Sequence, residues 1–212
     1  MASLSTHYPM SCPFCNISEA YPAGTSPVPS APNPELVSPQ CHLILSSKHV
    51  LAFLDILPIS PGHILITSRD HYTKLSDIQG NTNGSDDWAS RRAAETAKET
   101  SRALGEWLPK VSRALCKATG IEDWNVVQNN GERAAQVVPH VHFHLIPRFQ
   151  EGRTDKLAGR GKKEDVGMLK SWRMFGKGTR EELDDDEGAE LAGMLRDALR
   201  EEVGEEQPKY KL

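Results

Sequence analysis

Three histidines alternate with apolar residues in the stretch VVPHVHFHLIPR, residues 137–148. A period of two is that of a β-strand, in which successive side chains point to opposite faces of the sheet. The pattern predicts a strand with the apolar residues on the core side and the histidines in a row on the other side. The apolar residues are Val141, Phe143 and Leu145, and the histidines are His140, His142 and His144.

Three kinds of chemistry compete to explain the row. One metal ion does not explain it, because the outer histidines would lie roughly 13 Å apart along a strand and a zinc ligand atom lies about 2 Å from the ion. Tolerance of an exposed sheet face is a weaker explanation, since strands favour threonine, valine or tyrosine there. Neutral imidazole can attack phosphorus at physiological pH. The row is therefore interpreted as a central nucleophile, His142, whose neighbours His140 and His144 fix its tautomer or donate hydrogen bonds.

The chain has room for one sizeable core, with 212 residues of which 38% are hydrophobic. Residues 20–40 contain six of the 14 prolines and should form an extended or disordered surface insertion. We expect an N-terminal arm over residues 1–40, a domain over 41–150 and a C-terminal extension over 151–212.

Within the domain the pattern predicts an α+β fold, with an antiparallel sheet of about five strands packed against a long helix. The strand-like segments are 41–47, 50–56, 63–68, 124–128 and the histidine run. Residues 88–118 carry apolar side chains at three- and four-residue intervals, as in an amphipathic helix. Pro109 should kink this helix or begin a second one.

Charge gives no reason to expect a nucleic acid or an anionic membrane as partner, because the net charge is −4. No stretch approaches the roughly 18 apolar residues of a membrane span, and the N-terminus does not resemble a signal peptide. We expect a soluble protein of the cytoplasm or nucleus. The extension is basic over residues 148–180 and acidic over 181–206, where an amphipathic helix is predicted.

The pair Cys12 and Cys15 is a C-x-x-C motif in a chain with only four cysteines. Such a pair can be half of a zinc site, a redox motif or a plain reduced pair. The redox interpretation expects a strand and helix of thioredoxin type around the motif, and that context is absent. A zinc site needs two further ligands.

The motifs together resemble the histidine triad (HIT) family of nucleotide hydrolases and transferases. HVHFHLI matches the family signature, and LAFLDILPISPGHILIT and NVVQNNGERAAQ occur in the family's order. The resemblance implies that His142 attacks the α-phosphorus to form a nucleotidyl-histidine, with His140 and His144 beside it. It also implies that His63 completes the cluster and that Asp55 binds the ribose hydroxyls, although a strand-end cap would also explain Asp55.

By the same resemblance Asn129 and Gln136 position phosphate and catalytic groups, although a turn would also explain both. Val137 stands where several members have serine or threonine beside the phosphate. Members with the N-terminal cysteine pair imply structural zinc on four ligands, which are here Cys12, Cys15, His71 and His140. They also imply a homodimer.

The resemblance leaves the purine nucleotide substrate open between dinucleoside polyphosphates and adenosine 5'-monophosphoramidate. Arg148 favours the polyphosphates, since it could meet additional phosphates. A nucleotide-binding regulator with vestigial catalysis is a further alternative, which the complete set of histidines disfavours.

Overall fold

A five-stranded antiparallel sheet forms the centre of the computed structural model, which describes residues 11–79, 87–149, 180 and 182–204. Along the sheet the strands follow the order β1-β2-β3-β5-β4. They are β1 (Leu43–Ser46), β2 (Val50–Leu54), β3 (Ile64–Ser68), β4 (Asp123–Gln128) and β5 (His142–Arg148). The predicted α+β fold is confirmed, and each predicted strand segment coincides with one strand.

Among the described residues, three α-helices accompany the sheet: α1 (Pro13–Ala20), α2 (Trp88–Thr119) and α3 (Asp185–Val203). Helix α2 begins after Asp87, whose carboxylate accepts the Ser90 N–H, and ends at Gly120 with φ +76°. No helix in the described part of the chain is both long and apolar enough to cross a membrane.

Helix α2 continues through Pro109, so the alternative of a second helix is wrong. A proline inside a helix removes the hydrogen bond to the carbonyl four residues earlier, here that of Gly105. Leu104 and Val111, on either side of the proline, are both buried in the core. Packing on both sides of Pro109 thus keeps the two parts of the helix against the same core.

The two faces of the sheet are covered by different parts of the chain. Helices α2 and α3 pack over one face and share with it the larger core. Helix α1 covers the other face, where Phe14 packs with a cluster that includes Leu51, Phe53 and Leu65. The second face also carries the histidines of β5, so the arm and the site lie together.

The C-terminal helix is part of the domain's core. Leu191, Leu195 and Leu199 are buried as predicted, and the fourth predicted residue, Met194, is half-buried. Asp184 caps the helix by accepting the N–H groups of residues 186 and 187. Within the predicted extension, the described residues 182–204 therefore complete the layer that α2 begins.

The proline-rich segment is also packed against the domain. Val28 is buried in the larger core, and the Ser46 N–H donates to the Pro27 carbonyl at 2.8 Å. From α3, the Arg200 guanidinium donates to the Pro29 carbonyl at 2.8 Å. The segment is irregular and lies mostly at the surface, as expected, and buried Val28 anchors it to the domain.

Strand β4 lies at one edge of the sheet and leaves apolar side chains exposed. Trp124 is 38% exposed, Val126 50% and Val127 36%. An edge strand with unpaired backbone groups and apolar side chains is a template for pairing with another strand.

Candidate functional site

The histidine row lies on β5 and just ahead of it, on the sheet face that α1 covers. The His142 and His144 rings have centroids 4.8 Å apart, and His140 precedes the first residue of the strand. Val141 and Leu145 are fully buried in the opposite core, and Phe143 packs half-buried against it. The predicted alternation is confirmed.

Hydrogen bonding determines which ring nitrogen of His142 carries a proton. His142 Nδ1 lies 2.6 Å from the backbone oxygen of His140. A carbonyl oxygen only accepts, so Nδ1 must donate its N–H. Burial lowers the pKa of His142 and thereby favours the neutral ring. Nε2 of His142 therefore keeps an unprotonated lone pair.

A chain of hydrogen bonds determines the opposite tautomer for His144. The Ile59 N–H donates to His63 Nδ1 at 3.2 Å, so His63 carries its proton on Nε2. His63 Nε2 lies 3.0 Å from His144 Nδ1 and donates its N–H to that nitrogen. In the neutral state His144 therefore holds its own proton on Nε2.

Burial keeps the rings of His63 and His144 neutral. It lowers the pKa of His63 to about 2, and a protonated His144 and the charges of Arg180 and Arg148 would act in the same direction. It lowers the pKa of His144 to about 4, again as the largest cause. At physiological pH the site thus presents one ring with a lone pair and a neighbouring ring with an N–H.

Asp55 follows β2 and reaches the same cluster. Its Oδ1 accepts the Leu57 N–H at 2.9 Å, and its Oδ2 lies 3.3 Å from His63 Nδ1. Burial raises the pKa of this carboxyl, and the Leu57 N–H and the Arg180 charge lower it. The first contact is the cap expected of a strand end, and it leaves Oδ2 for other partners.

Gln136 and Asn129 occupy different positions relative to the row. The Gln136 amide donates to the carbonyls of Thr73 at 2.7 Å and His140 at 3.3 Å, and its oxygen accepts the Gly131 N–H. Gln136 thus braces the loop before β5 and touches the carbonyl that orients His142. Asn129 directly follows β4 and is half-buried.

Val137 and Arg148 lie at the margins of the row. Val137 is 82% exposed, so the hydroxyl of a serine or threonine would also face solvent at this position. Arg148 Nε donates to the Asn125 side chain of β4 at 2.7 Å. Part of the guanidinium is therefore already engaged within the sheet.

The two cysteines and two histidines predicted as zinc ligands come together. The sulfur of Cys12 lies 3.4 Å from His140 Nδ1, and that of Cys15 lies 3.7 Å from the same nitrogen. The Cys15 sulfur is also 3.3 Å from His71 Nδ1. One ligand atom of each residue lies within 4.8 Å of every other, so the four can reach one ion.

The protonation of His140 fits this role. Its Nε2 lies 2.8 Å from the Ser68 carbonyl and must donate to it, so Nδ1 presents a lone pair to the sulfurs. Tetrahedral zinc, with bonds of about 2.3 Å to sulfur and 2.0 Å to nitrogen, places its ligand atoms about 3.5 Å apart. The three sulfur-nitrogen distances lie close to that value.

Redox chemistry fits the pair less well. Burial, with Cys12 acting in the same direction, raises the pKa of the free Cys15 thiol to about 12. Reactive cysteines instead have a lowered pKa.

Two residues of the site were missed by sequence reasoning. Phe14, between the cysteines, packs edge-on against His142 with ring centroids 5.1 Å apart. Arg180 places its Nη1 3.9 Å from Asp55 Oδ2. The motif C-P-F-C could have indicated Phe14, because the ring accompanies the cysteines to the sheet. No local pattern indicates Arg180.

Comparisons with known proteins agree with this geometry. The HIT domain family model matches residues 38–151. An adenosine 5'-monophosphoramidase of Schizosaccharomyces pombe is 34% identical over 142 residues, which cover 67% of this chain and 77% of that protein.

An adenosine 5'-monophosphoramidase of Saccharomyces cerevisiae is 37% identical over 108 residues, which cover 51% of this chain and 54% of that relative. The chain thus spans about half of the length of this second relative. The solved structure of a Zn-bound histidine triad family protein from Mycobacterium smegmatis shares the fold. Its TM-score is 0.52 at 24% identity, over 92% of this chain and 97% of that one.

Proposed function

We propose, since the chain belongs to the HIT domain family and is an enzyme of it, that it hydrolyses purine nucleotides at the α-phosphorus through a covalent intermediate on His142. The observation that carries the proposal is the opposite polarity of two adjacent rings. His142 offers a lone pair on Nε2, because its Nδ1 donates to the His140 carbonyl. His144 offers an N–H on Nε2, because its Nδ1 accepts from His63.

The two rings divide the reaction between them. His142 Nε2 attacks the α-phosphorus, a phosphorus-nitrogen bond forms, and the bond to the leaving group breaks. His144 donates its Nε2 proton to the departing group and is reprotonated by the water that then attacks phosphorus and releases His142. A neutral nucleophile needs no prior deprotonation, which the lowered pKa of His142 supports.

The other residues indicated by the family resemblance serve binding in this proposal. Asp55 Oδ2 accepts ribose hydroxyls, and Asn129 meets the phosphate from the end of β4. Gln136 positions catalytic groups through its hydrogen bond to the His140 carbonyl.

As the substrate we favour a phosphoramidate, from which ammonia leaves, over a dinucleoside polyphosphate, from which a nucleotide leaves. Both relatives described above are named as adenosine 5'-monophosphoramidases. The expectation of a polyphosphate depended on Arg148, whose Nε already donates to Asn125. The polyphosphate is the second candidate, because the positive charge of Arg148 near the row would attract additional phosphates.

We further propose that Cys12, Cys15, His71 and His140 hold a zinc ion. The sulfur-nitrogen distances and the His140 tautomer fit a closed site of two sulfurs and two nitrogens. Such an ion is structural, and it would tie the arm that carries Phe14 to the sheet. Two thiol-to-imidazole hydrogen bonds without metal are the alternative.

We also propose a homodimer that pairs through β4. The exposed side chains of Trp124, Val126 and Val127 stand on an edge strand, and a second copy would bury them.

The covalent step is tested by trapping. A brief incubation with radiolabelled adenosine 5'-monophosphoramidate, quenched without acid, should leave label on the wild-type protein and none on His142→Ala. His144→Ala should turn over about 10²- to 10⁴-fold more slowly, as expected for lost proton transfer. A His142→Ala variant with wild-type turnover would contradict the mechanism. Binding of AMP without any turnover or label would favour the vestigial regulator.

A further inference from the structure

A short segment ahead of α3 is attached to the loop that carries Asp55. Arg180 Nη1 donates to the Leu57 carbonyl at 3.1 Å, and the Leu183 N–H donates to the Ile56 carbonyl at 2.9 Å. These two bonds join residues more than 120 positions apart in the chain. The C-terminal segment thus reaches the nucleoside side of the site.

The bonds bring a cation to a buried acid. Arg180 Nη1 lies 3.9 Å from Asp55 Oδ2, and the Asp55 side chain is only 12% exposed. The nearest ring, His63, is neutral and supplies no positive charge. Burial of a carboxylate disfavours its ionised form, and a guanidinium within about 4 Å favours it.

Ribose recognition needs the ionised form. A carboxylate can accept hydrogen bonds from two neighbouring hydroxyls, whereas a protonated carboxyl offers a donor in place of one acceptor. Asp55 Oδ1 is already occupied by the Leu57 N–H. Loss of acceptor capacity at Oδ2 would therefore act directly on the ribose.

We propose that Arg180 is a positioning residue for the nucleoside, which holds Asp55 as a carboxylate and fixes its loop so that Oδ2 accepts the ribose hydroxyls. The inference rests on the proposed role of Asp55. Arg180 lies outside residues 38–151, the part that matches the family model, so this chain supplies the cation from its own C-terminal segment.

Helix α3 holds the segment in place. Asp184 caps the helix four residues after Arg180, and the leucines of α3 are buried against the domain. The selectivity of the nucleoside site thus depends on how the C-terminal helix is docked.

The test measures the binding of AMP and of 2',3'-dideoxy-AMP by calorimetry, so it does not require turnover. The dissociation constant of 2',3'-dideoxy-AMP divided by that of AMP reports recognition of the ribose hydroxyls alone. Arg180→Gln should lower this ratio about fivefold, which is the upper range for an ion pair with a partly exposed cation. Arg180→Lys should restore most of it. Arg102→Gln, an exposed arginine of α2, is the matched charge control and should keep the wild-type ratio.

Asp55→Asn separates the two levels of the proposal. It should abolish the discrimination, and adding Arg180→Gln to it should change the ratio no further. If Asp55→Asn loses the discrimination but Arg180→Gln keeps it, the inference about Arg180 is wrong and the role of Asp55 stands. If the wild-type protein binds both nucleotides equally, the role of Asp55 is wrong and the inference falls with it.

Discussion

Replacement of Gly188 by alanine should weaken the docking of α3, although the change favours the helix itself. Gly188 is buried where α3 meets His42, and a Cβ built there would lie 2.5 to 2.9 Å from three atoms of the His42 ring. The ring has little room to move, because its side chain is only 4% exposed. Either the ring turns away from Asp185, 3.6 Å from its Nε2, or the helix shifts.

Two opposing contributions determine the size of the effect. Alanine in place of glycine inside a helix stabilises by about 0.5 to 1 kcal/mol. Overpacking of a buried site costs about 1 to 3 kcal/mol. We therefore expect Gly188→Ala to lower the free energy of unfolding by roughly 1 kcal/mol or more, given that all three contacts are below 3.0 Å.

The control lies on the same helix. A Cβ at Gly193 meets only the end of the Arg196 side chain at 3.9 Å, so Gly193→Ala should stabilise by about 0.5 to 1 kcal/mol. Urea denaturation of both variants measures the difference. In a His42→Ala background the penalty of Gly188→Ala should vanish. Equal stabilisation by the two alanines in the wild-type background would refute the packing argument.

Three further predictions concern the site and the dimer. The pKa of His63 is about 2 in the folded protein and near 6.5 unfolded, so the unfolded state takes up the proton as the pH falls below 6.5 and stability is lost there. In urea titrations below pH 6.5, the free energy of unfolding of His63→Gln should therefore fall less steeply with pH than that of the wild type, by up to about 1.4 kcal/mol per pH unit. An unchanged slope would contradict a buried neutral His63. Elemental analysis should find one zinc per chain, retained in His142→Ala and lost with a lower melting temperature in Cys12→Ser, whereas a metal-free wild type would leave a plain thiol pair. Trp124→Glu should convert a dimer to a monomer in sedimentation at fixed concentration, and a dimer that persists would place the interface elsewhere.

Local patterns predicted the strands and both long helices, because periodicity follows directly from burial on one side. They did not show at which residue an apolar helix face stops being packed against another element. Trp88 continues the apolar spacing of α2 but is 72% exposed, and burial on this helix begins only at Ala97. Periodicity identifies a helix face but does not show how far its packing partner extends.

The residues of the site were likewise predicted only in part. His63 and His71 were placed by resemblance to a family, and the structure brings both to the row. Arg180 could not be placed, because it reaches Asp55 only through the docking of α3 on the opposite face of the sheet. Composition likewise did not show that the proline-rich segment is anchored through Val28, which is buried in the larger core.

His140 contributes to two neighbours through different atoms. Its ring belongs to the cysteine cluster, whereas its backbone oxygen orients the ring of His142. A side chain can be exchanged by a single codon change, but the peptide carbonyl is present whichever residue is encoded. The orientation of the His142 ring is therefore insulated from mutation at position 140, and a lineage could give up the proposed metal ligand there while inheriting the same tautomer of His142.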